Sequence, residues 1–196
     1  MLQPQILIDN GQSRFWTVPN FSPDLYEALR AIPLYHHPPI MVYGKMGEQN
    51  RDIGFFSDES IGYRYSNQMI PSTPLGTYPI MRWLLVETNK ILGTNFNGVL
   101  VNKYIGGEDY IGAHSDEESA LDKQRRMVAG IAYGPQIRTF RIRDKKTKEI
   151  VLDFEHQPCS LIVMEGSFQS DYTHEIAVQK KRKGERISVT FRHHLD

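Results

Sequence analysis

Arg186-Ile187-Ser188-Val189-Thr190-Phe191-Arg192 reads as a β-strand with two unlike faces. Successive side chains on a strand point to opposite sides. Arg186, Ser188, Thr190 and Arg192 therefore share one face, and Ile187, Val189 and Phe191 share the other. The apolar face can pack on helices. The polar face, turned into a barrel, makes a cationic lumen in which two guanidinium groups can hold a dicarboxylate, because the planar fork matches carboxylate geometry. Alone, such a strand would more often lie on a surface with its charges in water.

Working outward, short extended runs recur at Gly98–Tyr104, Met127–Tyr133, Arg138–Arg143, Ile150–Phe154 and Ser160–Met164, with turn residues between them. Regularly spaced short strands predict a sandwich or jelly roll. In Gly98–Tyr104, Asn102 and Tyr104 fall on one face. Ahead of these strands, Ser22-Pro23-Asp24 signals a helix start, Leu25, Leu29 and Ile32 form its apolar face, and Pro33 stops it. A second helix is predicted from Pro79 to Leu92, ended by Gly93, with Met81, Leu84, Leu85, Thr88 and Leu92 on its buried side. The expected fold class is α+β and mainly β: one domain over 1–196, with helices on one face in about 1–95 and the β core in about 96–196.

A chain of 196 residues can build a real core. Without a run of about 18 apolar residues, no membrane span is expected. The opening Met1-Leu2-Gln3-Pro4-Gln5 lacks the basic and apolar regions of a signal peptide. Cys159 is the one cysteine, so no internal disulfide and no cysteine zinc cage can form, and an intracellular, reducing setting is expected. The formal net charge is zero, which argues against strong nucleic-acid binding. The distribution is uneven, however. Arg125 to Lys148 holds eight Lys or Arg and one acid, and Lys180-Lys181-Arg182-Lys183 forms a second basic block. Such clusters can attract phosphates locally, although a solvated loop is the commoner fate of a lysine run.

His114-Ser115-Asp116 places an imidazole and a carboxylate two residues apart, so an extended segment aims both the same way. Two histidines and one carboxylate with open positions suit iron(II), whereas zinc prefers more nitrogen or sulfur. A lone His-x-Asp arises often by chance. Among the other histidines, His36 and His37 precede a Pro-Pro turn, His156 sits in a turn-like stretch before Pro158, and His193 and His194 are adjacent and would point opposite ways. His174, expected between two strands of the β region, is the best third ligand. Gly106-Gly107 lacks a following Gly-Lys-Ser/Thr, so it is not a phosphate loop; a flexible stretch leading to His114 is expected.

Together, Asn102-x-Tyr104, His114-x-Asp116, His174 and Arg186-x-Ser188-x-Thr190-Phe191-Arg192 resemble the AlkB family of iron(II)- and 2-oxoglutarate-dependent dioxygenases, over about the last 95 residues. The resemblance implies a double-stranded β-helix (jelly roll), with Fe(II) on His114, Asp116 and His174, 2-oxoglutarate as cosubstrate, and O2. It implies that Arg186, helped by Tyr104, takes the distal carboxylate of 2-oxoglutarate, and that Arg192 and Asn102 serve the carboxylate beside the keto group. Ser188 and Thr190 complete this cofactor-binding face. Ser188 departs from the family's usual asparagine, though a hydroxyl can still donate one hydrogen bond.

Upstream, Val42-Tyr43-Gly44-Lys45, Arg51 and Tyr63-Arg64-Tyr65-Ser66 resemble the nucleotide-recognition lid of the branch that repairs double-stranded DNA. The resemblance implies that Tyr43 wedges into the base stack and that Tyr65 and His114 sandwich the flipped base. Tyr63 and Glu118 would contact its edge, Arg51 would help hold the nucleotide, and Lys180 and Lys181 would hold the opposite strand. The expected activity is demethylation of 1-methyladenine and 3-methylcytosine in DNA by a monomer, in the nucleus if eukaryotic and the cytoplasm if bacterial or viral. The alternatives are the same chemistry on RNA or a protein side chain, and a non-catalytic nucleic-acid-binding jelly roll.

Overall fold

The strand β15 (Arg186–Arg192) lies in the middle of the larger of two sheets, between β10 (Val128–Tyr133) and β8 (Gly98–Tyr104). The computed structural model describes residues 3–42, 44–65, 68–116 and 127–194. The larger sheet continues beyond β10 through β13 (Leu161–Gly166) to β2 (Ser13–Val18) and β1 (Gln5–Asp9). On the other side, β8 is followed by β5 (Asp52–Phe56), β7 (Gln68–Thr73) and β6 (Gly62–Tyr65). The smaller sheet runs β12 (Ile150–His156), β11 (Arg138–Asp144), β14 (Tyr172–Ile176), β9 (Ile111–His114). From β8 onward the chain passes back and forth between the sheets, with one hairpin, β11–β12, within the smaller. This is a double-stranded β-helix. A separate hairpin pairs β3 (Pro39–Val42) with β4 (Lys45–Glu48).

The pleat of β15 separates two cores. Ile187, Val189 and Phe191 are fully buried with Met81, Leu84 and Leu85 of α2 (Pro79–Leu92) and Leu29 of α1 (Tyr26–Arg30). Arg186, Ser188, Thr190 and Arg192 instead line a cavity between the sheets. Strand β8 divides the same way: Val99 and Val101 join the helix-covered core, while Leu100, Asn102 and Tyr104 face the cavity. Around the cavity, the sheets close on a second apolar cluster centred on Phe15, which stacks on Phe140 at 5.6 Å and meets Phe168 at 5.8 Å and Phe154 at 5.9 Å.

Helix α2 has the predicted bounds. Pro79 occupies its first turn, and Gly93 ends it in the left-handed region at φ 64°, where a side chain would be strained. Helix α1 is shorter than Leu25–Ile32 suggests, with Leu25 at its N-cap and no side chain capping it, although Leu29 and Ile32 are buried as expected. The seven strands before α2 were not legible. β5 is buried throughout and shows no alternation, β1 is a mostly exposed edge, and β7 contains Pro71. His174 lies within β14, not between strands.

Gly106-Gly107 is a packed crossing. The Gly107 carbonyl accepts from the Gln179 amide at 2.8 Å, and a Cβ on Gly107 would collide with the Gln179 carbonyl. The expected flexible stretch is therefore a close backbone contact with the β14–β15 connection.

Phe15 supplies the aromatic contact that joins the two sheets. Phe15→Ala is expected to cost about 3–5 kcal/mol of stability by the usual burial and cavity terms, measured by urea unfolding; a loss below about 1 kcal/mol would mean the sheets do not depend on it.

Candidate active site

Neighbouring strands of the smaller sheet bring the two histidines together. His114 ends β9 and is the register partner of His174 in β14, with ring centroids 4.4 Å apart. Asp116 follows the end of β9. Its backbone N–H donates to Gln169 Oε1 at 2.7 Å, which ties it to the short helix α3 (Phe168–Asp171). The two imidazoles approach different oxygens of this carboxylate: His114 Nε2 is 3.6 Å from Asp116 Oδ1, and His174 Nε2 is 3.8 Å from Oδ2. One donor atom from each residue lies within 4.8 Å of the others.

The tautomer of His114 is set locally. His114 Nδ1 is 2.9 Å from the Gly112 carbonyl, which can only accept, so Nδ1 carries the proton and Nε2 keeps its lone pair toward Asp116. Burial, which dominates, pushes the pKa of His114 down, and burial with the neighbouring His114 pushes that of His174 down to about 3, so both rings are neutral as a metal requires. Burial raises the Asp116 pKa, but its charged surroundings, led by the Arg192 guanidinium, outweigh it and hold the carboxyl ionised, below its usual range. Arg192 Nη2 donates to Asp116 Oδ1 at 2.8 Å, while Asp116 Oδ2 and His174 Nδ1 are buried with no hydrogen-bond partner among the described residues. A buried acceptor left open beside two neutral imidazoles is the donor arrangement that a divalent iron would complete.

Across the cavity lies the cationic end. Arg186 is buried and faces Tyr104 across the β15–β8 register, with its guanidinium 5.4 Å from the ring. Only Nη2 has a partner, His156 Nδ1 at 3.2 Å; Nε and Nη1 have none among the described residues. His156 Nε2 lies 3.0 Å from the Ser160 carbonyl and so carries the ring's proton, leaving Nδ1 to accept from Arg186. Burial, then the Arg186 charge, lowers the His156 pKa to about 3, and burial lowers that of Arg186 to about 10. Two guanidinium nitrogens without a partner among the described residues, facing the cavity, fit a carboxylate. Arg138, also fully buried, flanks Tyr104 at 5.9 Å, and its donors go to the carbonyls of Gly106, Asp109 and Ala177 and to the side-chain oxygens of Gln136 and Gln179.

The structure thus brings His114, Asp116, His174, Asn102, Tyr104, Arg186, Ser188, Thr190 and Arg192 into one cavity. The upstream residues are placed less uniformly. Arg51 is buried and donates from Nε to Asn102 Oδ1 at 2.8 Å, with its guanidinium 5.5 Å from the Tyr65 ring. Tyr65 stands 6.0 Å from His114, but the rings are at 84°, edge to face and not parallel. Tyr63 is buried, lines the cavity, and stacks on Tyr65 at 6.3 Å. Lys180 and Lys181 are exposed on the β14–β15 connection, where Lys180 faces Glu108 at 3.7 Å, and neither lines the cavity. Tyr43 and Glu118 lie outside the described residues.

Sequence reasoning missed His156, Arg138, Gln169 and the contact of Arg51 with Asn102. For His156 a signal existed: Leu152, Phe154 and His156 alternate along one strand, which puts the imidazole on the same side as two apolar rungs. Nothing local marks Arg138 as a buried arginine. In the unfolded chain His156 has an ordinary pKa, so between pH 6.5 and about 3 unfolding takes up a proton the folded ring refuses, and stability is lost as pH falls. His156→Gln is expected to flatten the acid side of the stability curve by up to about 1.4 kcal/mol per pH unit over that window, as read from denaturant midpoints at stepped pH. Equal slopes would mean His156 is not held neutral.

Comparison with known proteins agrees with this geometry. A protein-family description of the 2OG-Fe(II) oxygenase superfamily matches residues 22–192. The DNA oxidative demethylase ALKBH2 of Arabidopsis thaliana is 28% identical over 181 residues, covering 79% of this chain and 56% of that protein. The human alpha-ketoglutarate-dependent dioxygenase alkB homolog 3 is 28% identical over 140 residues, covering 66% and 47%. The chain thus spans about half the length of these curated relatives. The solved structure of OsALKBH1 shares the fold, with a TM-score of 0.63 at 14% identity over 98% of this chain and all of that one. With the triad and the arginine face meeting in one jelly-roll cavity, the chain belongs to the 2OG-Fe(II) oxygenase superfamily and has its sequence relatives in the AlkB branch.

Proposed function

We propose that this protein is an oxidative demethylase of N-alkylated DNA bases, acting on 1-methyladenine and 3-methylcytosine turned out of a duplex. The observation that carries the reading is the half-buried aromatic ring of Tyr65, 6.0 Å from the metal-site imidazole of His114. A planar base can lie between two such rings once Tyr65 turns from edge-on to parallel, and base–aromatic stacking contributes about 1–3 kcal/mol per base. Extruding a base costs a few kcal/mol, and less for a lesion that cannot pair. The names of the relatives support the same substrate class.

When bound, iron(II), 2-oxoglutarate and O2 supply oxidation of an N-methyl C–H bond, coupled to conversion of the cosubstrate into succinate and carbon dioxide; the oxidised methyl leaves as formaldehyde and the base is restored. The chain's own contribution is placement. The open N–H groups of Arg186, with Tyr104 beside them, hold the distal carboxylate, and His156 keeps that guanidinium turned toward the cavity. Arg192 keeps Asp116 ionised and aimed at the two imidazoles. Asn102 serves the nearer carboxylate, its side-chain oxygen already turned by Arg51. Tyr63 lines the cavity and stacks on Tyr65, which offers an aromatic surface to an entering base.

The test is mass spectrometry of a methylated duplex oligonucleotide after incubation with ferrous ion, ascorbate and 2-oxoglutarate, with single-stranded DNA and RNA run at equal salt. Loss of one methyl from the duplex is expected, and His114→Ala or Asp116→Ala is expected to abolish both this loss and succinate formation. Tyr65→Ala is expected to slow demethylation roughly 5- to 150-fold, the stacking contribution in rate terms, while sparing cosubstrate-only turnover. Tyr43→Ala is expected to impair duplex repair more than single-strand repair. Faster turnover on RNA than on either DNA would overturn the substrate, and full activity without Asp116 would overturn the site.

A further inference from the structure

Outside the cavity, a second group of metal-binding side chains has no role in the oxygenase reading. His36 and His37 stand at the root of the β3–β4 hairpin, and Asp52 opens β5 beside them. His36 Nδ1 is 2.7 Å from Asp52 Oδ1, and the two imidazole rings stack 4.2 Å apart at 20°. One donor atom from each of the three lies within 4.8 Å of the others. We infer that His36, His37 and Asp52 form a second divalent-metal site, of the zinc, nickel and copper class, which clips the hairpin root to the larger sheet.

The backbone arranges these ligands before any metal arrives. Adjacent residues on an extended chain point to opposite sides, so neighbouring histidines do not ordinarily meet. Here His37 sits at φ 40°, a region that non-glycine residues seldom occupy, and its ring lies on that of His36. The segment is pinned on both sides. Tyr35 and Ile53 exchange two backbone hydrogen bonds of 2.9 Å, and the Pro38 carbonyl accepts from the Gln49 amide at 2.9 Å. Pro38 and Pro39 then stiffen the exit.

The donor set selects the ligand class. Two imidazoles and one carboxylate suit borderline transition metals, whereas calcium and magnesium prefer oxygen alone. Ligand atoms about 2.1 Å from a zinc ion at the tetrahedral angle stand about 3.4 Å apart. The His36–Asp52 contact must therefore open by somewhat under an ångström, which the largely exposed His36 can do. Lys103 Nζ lies 3.7 Å from Asp52 Oδ2 and competes for the carboxylate, but it leaves Oδ1 facing the imidazoles. The metal ties residues on either side of the β3–β4 hairpin to one point, so occupancy stiffens that root. None of this rests on the oxygenase chemistry.

The experiment is zinc titration of the chelator-treated chain by calorimetry and thermal denaturation. The unaltered chain is expected to bind two equivalents, one at His114, Asp116 and His174 and one here. His36→Ala and Asp52→Asn are each expected to bind one, with cosubstrate-only turnover by the iron-loaded chain unchanged in His36→Ala. Lys103→Met is expected to bind the second equivalent more tightly. In a His114→Ala, His174→Ala background, zinc is expected to raise the melting temperature, and adding His36→Ala is expected to remove that rise. A single equivalent in the unaltered chain, or two in both His36→Ala and Asp52→Asn, would sink the inference. Should the double background fail to fold, those stoichiometries decide the question by themselves.

Discussion

Burying a guanidinium is expensive unless its donors are met, and among the arginines this molecule buries are Arg138, beside Tyr104, and Arg186 and Arg192, which line the cavity. Each is handled differently. Arg138 is fully satisfied by carbonyls and amide oxygens from three connections, which makes it a knot of the architecture. Arg192 is balanced by Asp116, so the charge that orders the carboxylate also keeps it ionised. Arg186 is left partly unmet, and its remaining donors define where an anion is most stabilised. The polarity of the site follows from this unequal treatment of three like charges.

Both ends of the cavity also depend on neutral imidazoles. His156 has no proton on the nitrogen that faces Arg186, because its other nitrogen is committed to the Ser160 carbonyl. His114 is committed in the same manner to Gly112. In each case a backbone carbonyl chooses the tautomer, and the tautomer decides what the opposite nitrogen can do. Side chains far apart in sequence are thus made useful by short local contacts, consistent with the close packing of both cores.

The alternation in Arg186–Arg192 was enough to divide its side chains into two faces, because a regular pleat allows no other arrangement, but alternation alone favoured water, not a cavity, for the charged face. The bounds of β8, β15 and α2 were equally legible, each being a clean periodic run closed by a turn residue or cap. His114, Asp116 and His174 were identifiable by residue type and order, although His174 was expected outside a strand. Less was visible wherever burial is two-sided or contacts are long-range. β5 carries no alternation, since both its faces are covered. Arg138 looks like any other basic residue of a charged strand, and only the crossing of Gly107 over Gln179 makes a pocket of carbonyls for it. The resemblance gave Arg51 a part in holding the nucleotide, but nothing in the sequence indicated its buried contact with Asn102.

Arg51 has one further consequence. It holds the side chain of Asn102 on the floor of the cavity and lies against the ring of Tyr65, two residues that would otherwise belong to separate compartments. A molecule that reorients Tyr65 alters the cation's surroundings and so the grip on Asn102, and a molecule gripping Asn102 does the converse. Whatever cooperativity this shared cation creates must run equally in both directions, because the two occupancies would be tied in a single thermodynamic cycle.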